Sequence, residues 1–332
     1  MKSGIDFVLL WVDGNDPAWL EEKNKYAPLK VNYSSGTNRF RDWDNLQYWF
    51  RGVEQFAPWV DNIYFITWGH VPAWLDTRHP KLKVINHKDY IPEQYLPTFN
   101  SNTIELNLHR LPQLSEKFVL FNDDTFLLKN TTAEDFFVNG MPKDSFILNP
   151  VLPVGELGRI AYTNVNNTGI INMNFQKNAV IKKHFKKVFS LKYGSQLIRT
   201  LLLMAWKPFV GFSNPHLPMS HLKSRFDFMW ERETEKLNAT CMNKFRGLND
   251  LNHWLMRYWN LCEGIFVPRE ISFGKYFNIS DNLLPITQYI TGQKGKVICI
   301  NDFDPDIDFE RAKQEINEAL NGLLPEKSSF ER

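Results

Sequence analysis

Lys117-Phe118-Val119-Leu120-Phe121-Asn122-Asp123-Asp124 is the stretch that decides the fold. An unbroken apolar run of this length reads as a strand covered on both faces, and the chain then breaks at once into an amide and two carboxylates. Working outward, the same layout recurs. Ile5–Trp11 is apolar apart from Asp6 and ends in the turn Asp13-Gly14-Asn15-Asp16-Pro17. Asn62–Thr67, Leu82–Asn86 and Lys296–Ile300 read as further strands, the last running into Asn301-Asp302. Helical spacing fills the gaps. Leu46, Phe50 and Val53 share a face within Asp42–Phe56, and Pro58 stops that helix. Ile104, Leu108 and Leu111 form one stripe within Ser101–Leu111, closed by Pro112. Leu248–Cys262 and Asp308–Leu323 read as later helices. Strands alternating with helices predict an α/β fold, with a mixed or mostly parallel central sheet and helices on both faces.

Composition agrees. Of 332 residues 43% are hydrophobic and 23% charged, enough to build a core. Lys+Arg 39 against Asp+Glu 37 leaves +2, which argues against a nucleic-acid-coating protein. No stretch reaches the length of a membrane span, and Asp6 interrupts the first apolar run, so no secretory signal is expected. The three cysteines, Cys241, Cys262 and Cys299, are far apart, which points to a reducing compartment rather than a disulfide framework. The sequons at Asn32, Asn130, Asn166, Asn238 and Asn278 then read as chance. Aromatics reach 14%, a supply of core area and of stacking surface for sugars.

In α/β sheets ligands bind beyond the carboxyl ends of the strands. Three such ends carry carboxylates here: Asp13 and Asp16, Asp123 and Asp124, and Asp302. They converge if their strands are neighbours. Adjacent Asp123 and Asp124 suit a hard cation, Mg²⁺ or Mn²⁺, and equally a solvated loop end. Metal-dependent glycosyltransferases place carboxylates in the same way. Asn100-Ser101-Asn102 opens a helix whose free N–H groups could hold a phosphate. Asn102, Glu105 and His109 are spaced along one face of it with Arg110 beside them, a polar face that is either a site or simply solvated. His216 and His221, in a proline-rich loop, could supply a base near neutral pH or be structural. Arg246 precedes the helix that carries Asp250 and reads as a phosphate clamp or an ordinary ion-pair partner.

Taken in order, these motifs resemble the Stealth family of sugar-1-phosphate transferases, which includes bacterial capsular polysaccharide phosphotransferases and the catalytic part of GlcNAc-1-phosphotransferase. The first region is Ile5-Asp6-Phe7-Val8 through Asp16-Pro17. The second begins at Arg41-Asp42 and runs through Ala57-Pro58-Trp59-Val60, Leu96-Pro97-Thr98-Phe99-Asn100-Ser101-Asn102 and His109-Arg110 to Phe121-Asn122-Asp123-Asp124. The third lies around His216-Leu217-Pro218 and Arg246, and the fourth runs from Ile300-Asn301-Asp302 to Ser328-Ser329-Phe330-Glu331. One departure is Gly69-His70, where a Gln-containing turn is expected.

The resemblance implies a single catalytic domain, 1–332, built from four regions (approximately 1–28, 38–145, 210–262 and 285–332), with a glycosyltransferase-like nucleotide-sugar-binding architecture. It implies transfer of hexose-1-phosphate from a UDP-sugar to a hydroxyl of a glycan or lipid-linked oligosaccharide, with release of UMP, in capsule or cell-surface polysaccharide synthesis. His216 becomes the candidate base, Arg246 the phosphate clamp, and Asp123, Asp124 and Asp302 the candidate catalytic ligands of Mg²⁺ or Mn²⁺ or of the acceptor hydroxyl. Asp13, Asp16, Asn100, Ser101, Asn102, Glu105, His109, Arg110 and Asp250 line the donor or acceptor pocket. A UDP-releasing glycosyltransferase and a non-catalytic glycan-binding protein are the alternatives.

A helical insertion at 177–207 stands apart. Lys177, Lys182, Lys183, Lys186, Lys187 and Lys192 alternate with apolar residues, and Leu197–Trp206 follows. Basic plus apolar and too short to span is the pattern of an interfacial segment, and also of a core helix with a solvated basic side. The expected location is cytoplasmic, with peripheral contact at the inner membrane face as the open alternative.

Overall fold

The computed structural model describes residues 3–27, 41–153, 159–302 and 306–332. The stretch 28–40, which holds the join between the first two family-like regions and the Asn32 sequon, lies outside the described residues.

In chain order the strands are β1 (Ile5–Leu10), β2 (Ile63–Thr67), β3 (Leu82–Asn86), β4 (Lys117–Asn122), β5 (Thr125–Leu127), β6 (Phe137–Val138), β7 (Met141–Asp144), β8 (Met219–Leu222), β9 (Val267–Pro268), β10 (Gly274–Asn278) and β11 (Val297–Asn301). The main sheet has the order β3-β2-β1-β4-β8; its first four strands are parallel and β8 is antiparallel to β4. A second sheet, β10-β11-β5, pairs β11 parallel with β10 and antiparallel with β5. The third, β6-β7-β9, includes a hairpin turned by Asn139 and Gly140, both at positive φ.

Side-chain alternation splits the core into two layers, one on each face of the main sheet. Ile5, Phe7 and Leu9 join Phe65, Val119 and Phe121 under the helices Leu46–Phe56 and Phe309–Leu323. Val8, Tyr64, Phe118 and Leu120 face the helices Ser101–Leu106, Lys223–Arg232 and Trp254–Glu263. The α/β architecture with helices on both faces is therefore present. Asp6, fully buried, closes the amino ends of three strands: Asn62 donates to it through its backbone N (3.1 Å) and Nδ2 (2.9 Å), and Ser115 N donates at 2.8 Å.

Two helices are shorter than their spacing predicts, for one reason. Asn and Asp side chains compete for the backbone groups a helix needs. The expected Ser101–Leu111 helix stops at Leu106, because Asn107 Nδ2 donates to the Thr103 carbonyl (2.8 Å) and the chain continues as a 3-10 turn, Leu108–Arg110. The expected Leu248–Cys262 helix starts only at Trp254, after Asp250 and Asn252 have accepted the backbone N–H groups of Gly247 (2.9 Å) and Trp254 (3.2 Å). Trp254–Cys262 is then buried on every side. That helix ends at Gly264, whose φ of +77° is the left-handed cap, and where a Cβ would stand 2.3 Å from the His184 ring.

Inside this layer Arg257 is almost wholly buried. It makes a two-pronged pair with Asp144 (2.7 and 2.9 Å) and a 2.7 Å bond to Asn214 on the loop that leads to His216. Among the described residues no helix is long and apolar enough to cross a membrane.

Removing Arg257 would strand a half-buried carboxylate. Arg257→Met is expected to cost about 3 kcal/mol, the low end for breaking a buried pair, read from chemical denaturation. An unchanged midpoint would show the pair to be dispensable.

Candidate active site

The parallel pairing of β1, β2 and β4 puts their carboxyl ends on one edge of the sheet. Antiparallel β8 enters at that same edge: Met219 pairs with Leu120, so His216, just upstream, rises beside the end of β4. β11 reaches the site from the second sheet. Cys299 pairs with Thr125, and Ile300 N donates to the Asp124 carbonyl at 2.9 Å. The turn Asp123-Asp124 is thus gripped from both sides.

His216 Nε2 lies 3.4 Å from Asp124 Oδ2, and Asn122 Nδ2 lies 3.4 Å from the same nitrogen. Cys299 Sγ donates to Asp124 Oδ2 at 3.3 Å. The other oxygen, Oδ1, is buried with no hydrogen-bond partner among the described residues. His216 takes a positive φ of 48°, unusual for a side-chain-bearing residue and characteristic of functional loops. Burial pulls the His216 pKa down, but the hydrogen bond and the charge of Asp124 outweigh it and leave it raised above 6.5. Asp123 keeps an exposed side chain yet is ringed by protein. That surrounding, and then the Asp124 carboxylate, raise its pKa to about 7.

A second group faces these residues. Arg246 donates to Ser101 Oγ at the start of the short helix. Glu105 is buried; desolvation raises its pKa to about 7 against the opposing charge of Arg246. His253 Nε2 stands 3.7 Å from Glu105 Oε2, and its Nδ1 shares a 2.9 Å hydrogen bond with His221 Nε2. Desolvation depresses both imidazoles, His221 to about 3, so the pair is neutral and one ring donates to the other. His221 is thereby sealed in the core and is no candidate for contact with an acceptor.

Several expected pocket residues hold the frame instead. Asp250 is fully buried and takes four hydrogen bonds, from Asn100 Nδ2 (2.8 Å), Asn102 Nδ2 (3.2 Å), Gly247 N (2.9 Å) and Asn243 Nδ2 (2.7 Å). It positions the Asn100–Asn102 turn against the Arg246 loop. His109 falls off the expected polar face because the helix ends at Leu106; it is buried against Trp230, and Arg110 lies over the same indole. Asp16 caps the helix Pro17–Tyr26, and Asp13 turns its own loop through the Asn15 N–H (2.8 Å). The departing residue His70 serves that loop: its Nε2 accepts from Asp13 N (2.8 Å), and its Nδ1 faces Asp16 at 3.6 Å. Asp302 accepts from Trp43 Nε1 (3.2 Å) and lies 3.8 Å from Arg41.

Two donor sets can hold a cation, and they share Asp124. The orphaned Oδ1 beside Asp123 is an all-oxygen position suited to Mg²⁺ or Mn²⁺ completed by phosphate and water. Asp124, His216 and Cys299 form the one group of three metal-binding side chains among the described residues whose ligand atoms lie within 4.8 Å of one another. Its oxygen, nitrogen and sulfur donors suit Zn²⁺ rather than Mg²⁺. Asp302, the third expected ligand, lies two residues beyond Ile300, where Trp43 and Arg41 engage its carboxylate. Cys299 and His253 carry no signal in the sequence, since each comes into reach only through tertiary packing.

Profiles of the Stealth protein conserved regions match this chain, region 1 at residues 4–29 and region 2 at residues 39–144. A capsular polysaccharide phosphotransferase, WcwK, from Streptococcus pneumoniae is 45% identical over 99% of the chain and 98% of its own length. The chain belongs to the Stealth family. Two further relatives agree: the exopolysaccharide phosphotransferase cps2G of Lactiplantibacillus plantarum, 40% identical over 99% of this chain and 96% of its own, and the receptor polysaccharide phosphotransferase WefC of Streptococcus gordonii, 39% identical over the whole of both. This Stealth protein is accordingly an enzyme of the phosphotransferase class. Among solved structures, the galactosyltransferase LgtC aligns over 98% of both chains at 9% identity with a TM-score of 0.38.

Asp124→Asn removes the charge that raises the His216 pKa. The His216 titration, followed by NMR, should move to lower pH, and the acidic limb of any residual activity should move with it. An unmoved titration would mean that Asp124 does not set it. Micromolar Zn²⁺ should inhibit turnover in the presence of excess Mg²⁺ by engaging His216, and full activity under those conditions would rule out the mixed-donor set.

Proposed function

We propose that this Stealth protein transfers hexose-1-phosphate from a UDP-sugar to a hydroxyl of a growing cell-surface or capsular polysaccharide, releasing UMP. The reading rests on one observation: His216 paired with Asp124 stands at the strand edge that also carries the Arg246–Ser101 contact. A carboxylate can only accept, so the neutral ring bonded to Asp124 carries its proton on Nε2 and offers Nδ1 as the base. In the proposed step the acceptor oxygen attacks the sugar-bearing phosphorus and loses its proton to His216. The phosphorus–oxygen bond toward the uridine side breaks, and the electron pair leaves with UMP. Asp124 stabilises the imidazolium that forms. Arg246, held beside the start of the Ser101–Leu106 helix by Ser101, neutralises the phosphoryl oxygens, since catalysis here is chiefly positioning and charge stabilisation. Mg²⁺ or Mn²⁺ on Asp123 and Asp124 would supply further neutralisation of the diphosphate. Asn100 and Asn102, fixed by Asp250, shape the wall of the pocket.

The names of the relatives support a polysaccharide acceptor, and phosphoryl transfer separates this reading from a glycosyltransferase by its leaving group. A panel of UDP-sugars with a soluble oligosaccharide acceptor should yield UMP in step with phosphodiester product. Release of UDP would overturn the reading. His216→Ala should lower kcat by about 10²- to 10⁴-fold with little change in donor binding. The wild-type enzyme should lose activity as pH falls through a pKa above 6.5, because the base must be neutral. A variant with wild-type kcat would exclude His216 as the base.

A further inference from the structure

The segment 177–207 contains a short helix that packs Leu197 and Thr200 inward and leaves an apolar face exposed. Gln196–Leu202 buries the polar Thr200, whose Oγ1 accepts from Leu148 N at 3.2 Å, and turns Ile198, Leu201 and Leu202 outward. Those three stand at i, i+3 and i+4 on one face and are 61%, 56% and 68% exposed. Trp206 (53%), Phe185 (59%) and Leu191 (89%) from the adjoining turns are open as well. Scattered apolar residues at a surface are ordinary, but three on one face of a single short helix are not scattered.

The lysines of the segment divide into two sets. Lys177 is buried and donates to the carbonyls of Leu203 (2.9 Å), Met204 (3.2 Å) and Trp206, tying the two ends of the segment together. Lys187 donates to the carbonyls of Gly264 (2.6 Å) and Phe266 (2.7 Å), anchoring it to the core, and Lys192 pairs with Glu270 at 2.6 Å. Lys182, Lys183, Lys186 and Lys207 are exposed, and the segment 177–207 contains no acidic residue.

We propose that this face docks on an anionic lipid bilayer, with Ile198, Leu201, Leu202 and Trp206 entering the interface and Lys182, Lys183 and Lys186 meeting the headgroups. Charge selects this occupant. A second copy of the chain would set lysines against lysines, whereas an anionic surface takes apolar and basic groups together. The inference is independent of the chemistry assigned to His216, because it rests on surface residues outside the site.

The test is co-sedimentation of the full chain with vesicles of phosphatidylglycerol and phosphatidylcholine, against vesicles of phosphatidylcholine alone. Binding should need the anionic lipid and weaken with salt. Lys182→Glu, Lys183→Glu and Lys186→Glu combined should weaken it by more than about tenfold, given the contribution of each lysine near an anionic surface. Ile198→Ser, Leu201→Ser and Leu202→Ser combined should do the same. Both variants should keep wild-type melting and turnover on a soluble acceptor. No sedimentation at low salt, or binding unchanged by both variants, would overturn the proposal. So would light scattering that shows a dimer dissolved by the serine variant, which would assign the face to a second copy.

Discussion

Two residues separate a strand of the main sheet from a strand of the second. β4 ends at Asn122, β5 begins at Thr125, and only Asp123 and Asp124 lie between. The joint allows no slack, so the carboxylates stand where both sheets put them. β8 then delivers His216 from one side and β11 delivers Cys299 from the other. The raised His216 pKa follows from the hydrogen bond and charge of Asp124 against the pull of burial, and that of Asp123 from the protein around it and then from the same carboxylate.

The rest of the edge is held by buried polar groups that substrate cannot reach. Asp250 gathers four donors and locks the Asn100–Asn102 turn to the loop bearing Arg246. Arg257 reaches from a fully buried helix to Asp144 and to Asn214, just before His216. A half-satisfied network of this kind would cost more than an apolar core, and a satisfied one fixes a single arrangement. The phosphotransferase is therefore preorganised by groups that take no part in chemistry.

The segment 177–207 follows a different rule. Lys177 and Lys187 turn inward to backbone carbonyls, while Lys182, Lys183 and Lys186 and the side chains of Ile198, Leu201 and Leu202 face out. Buried hydrogen bonds thus hold a surface that is both apolar and basic.

The sequence by itself determined the parallel strands of the main sheet, β11 and the family. Apolar runs such as Phe118–Phe121 and the polar residues that end them were legible because burial and turn-making are local properties of residue type. The motifs around Asp123-Asp124, Asn100-Ser101-Asn102 and His216 named the family for the same reason. What the tertiary structure alone decided was company. The pairing of β5 with β11, which sets Cys299 on Asp124, is made by residues about 170 positions apart and leaves no periodic trace. The same holds for His253 against Glu105, and for Asp250, whose carboxylate reads in sequence as a ligand and in space as a filled hydrogen-bond hub. Even the early end of the Ser101–Leu106 helix turns on a side chain that competes with the backbone. Residue type fixes what a group can do; only packing across the chain fixes whether it is left free to do it.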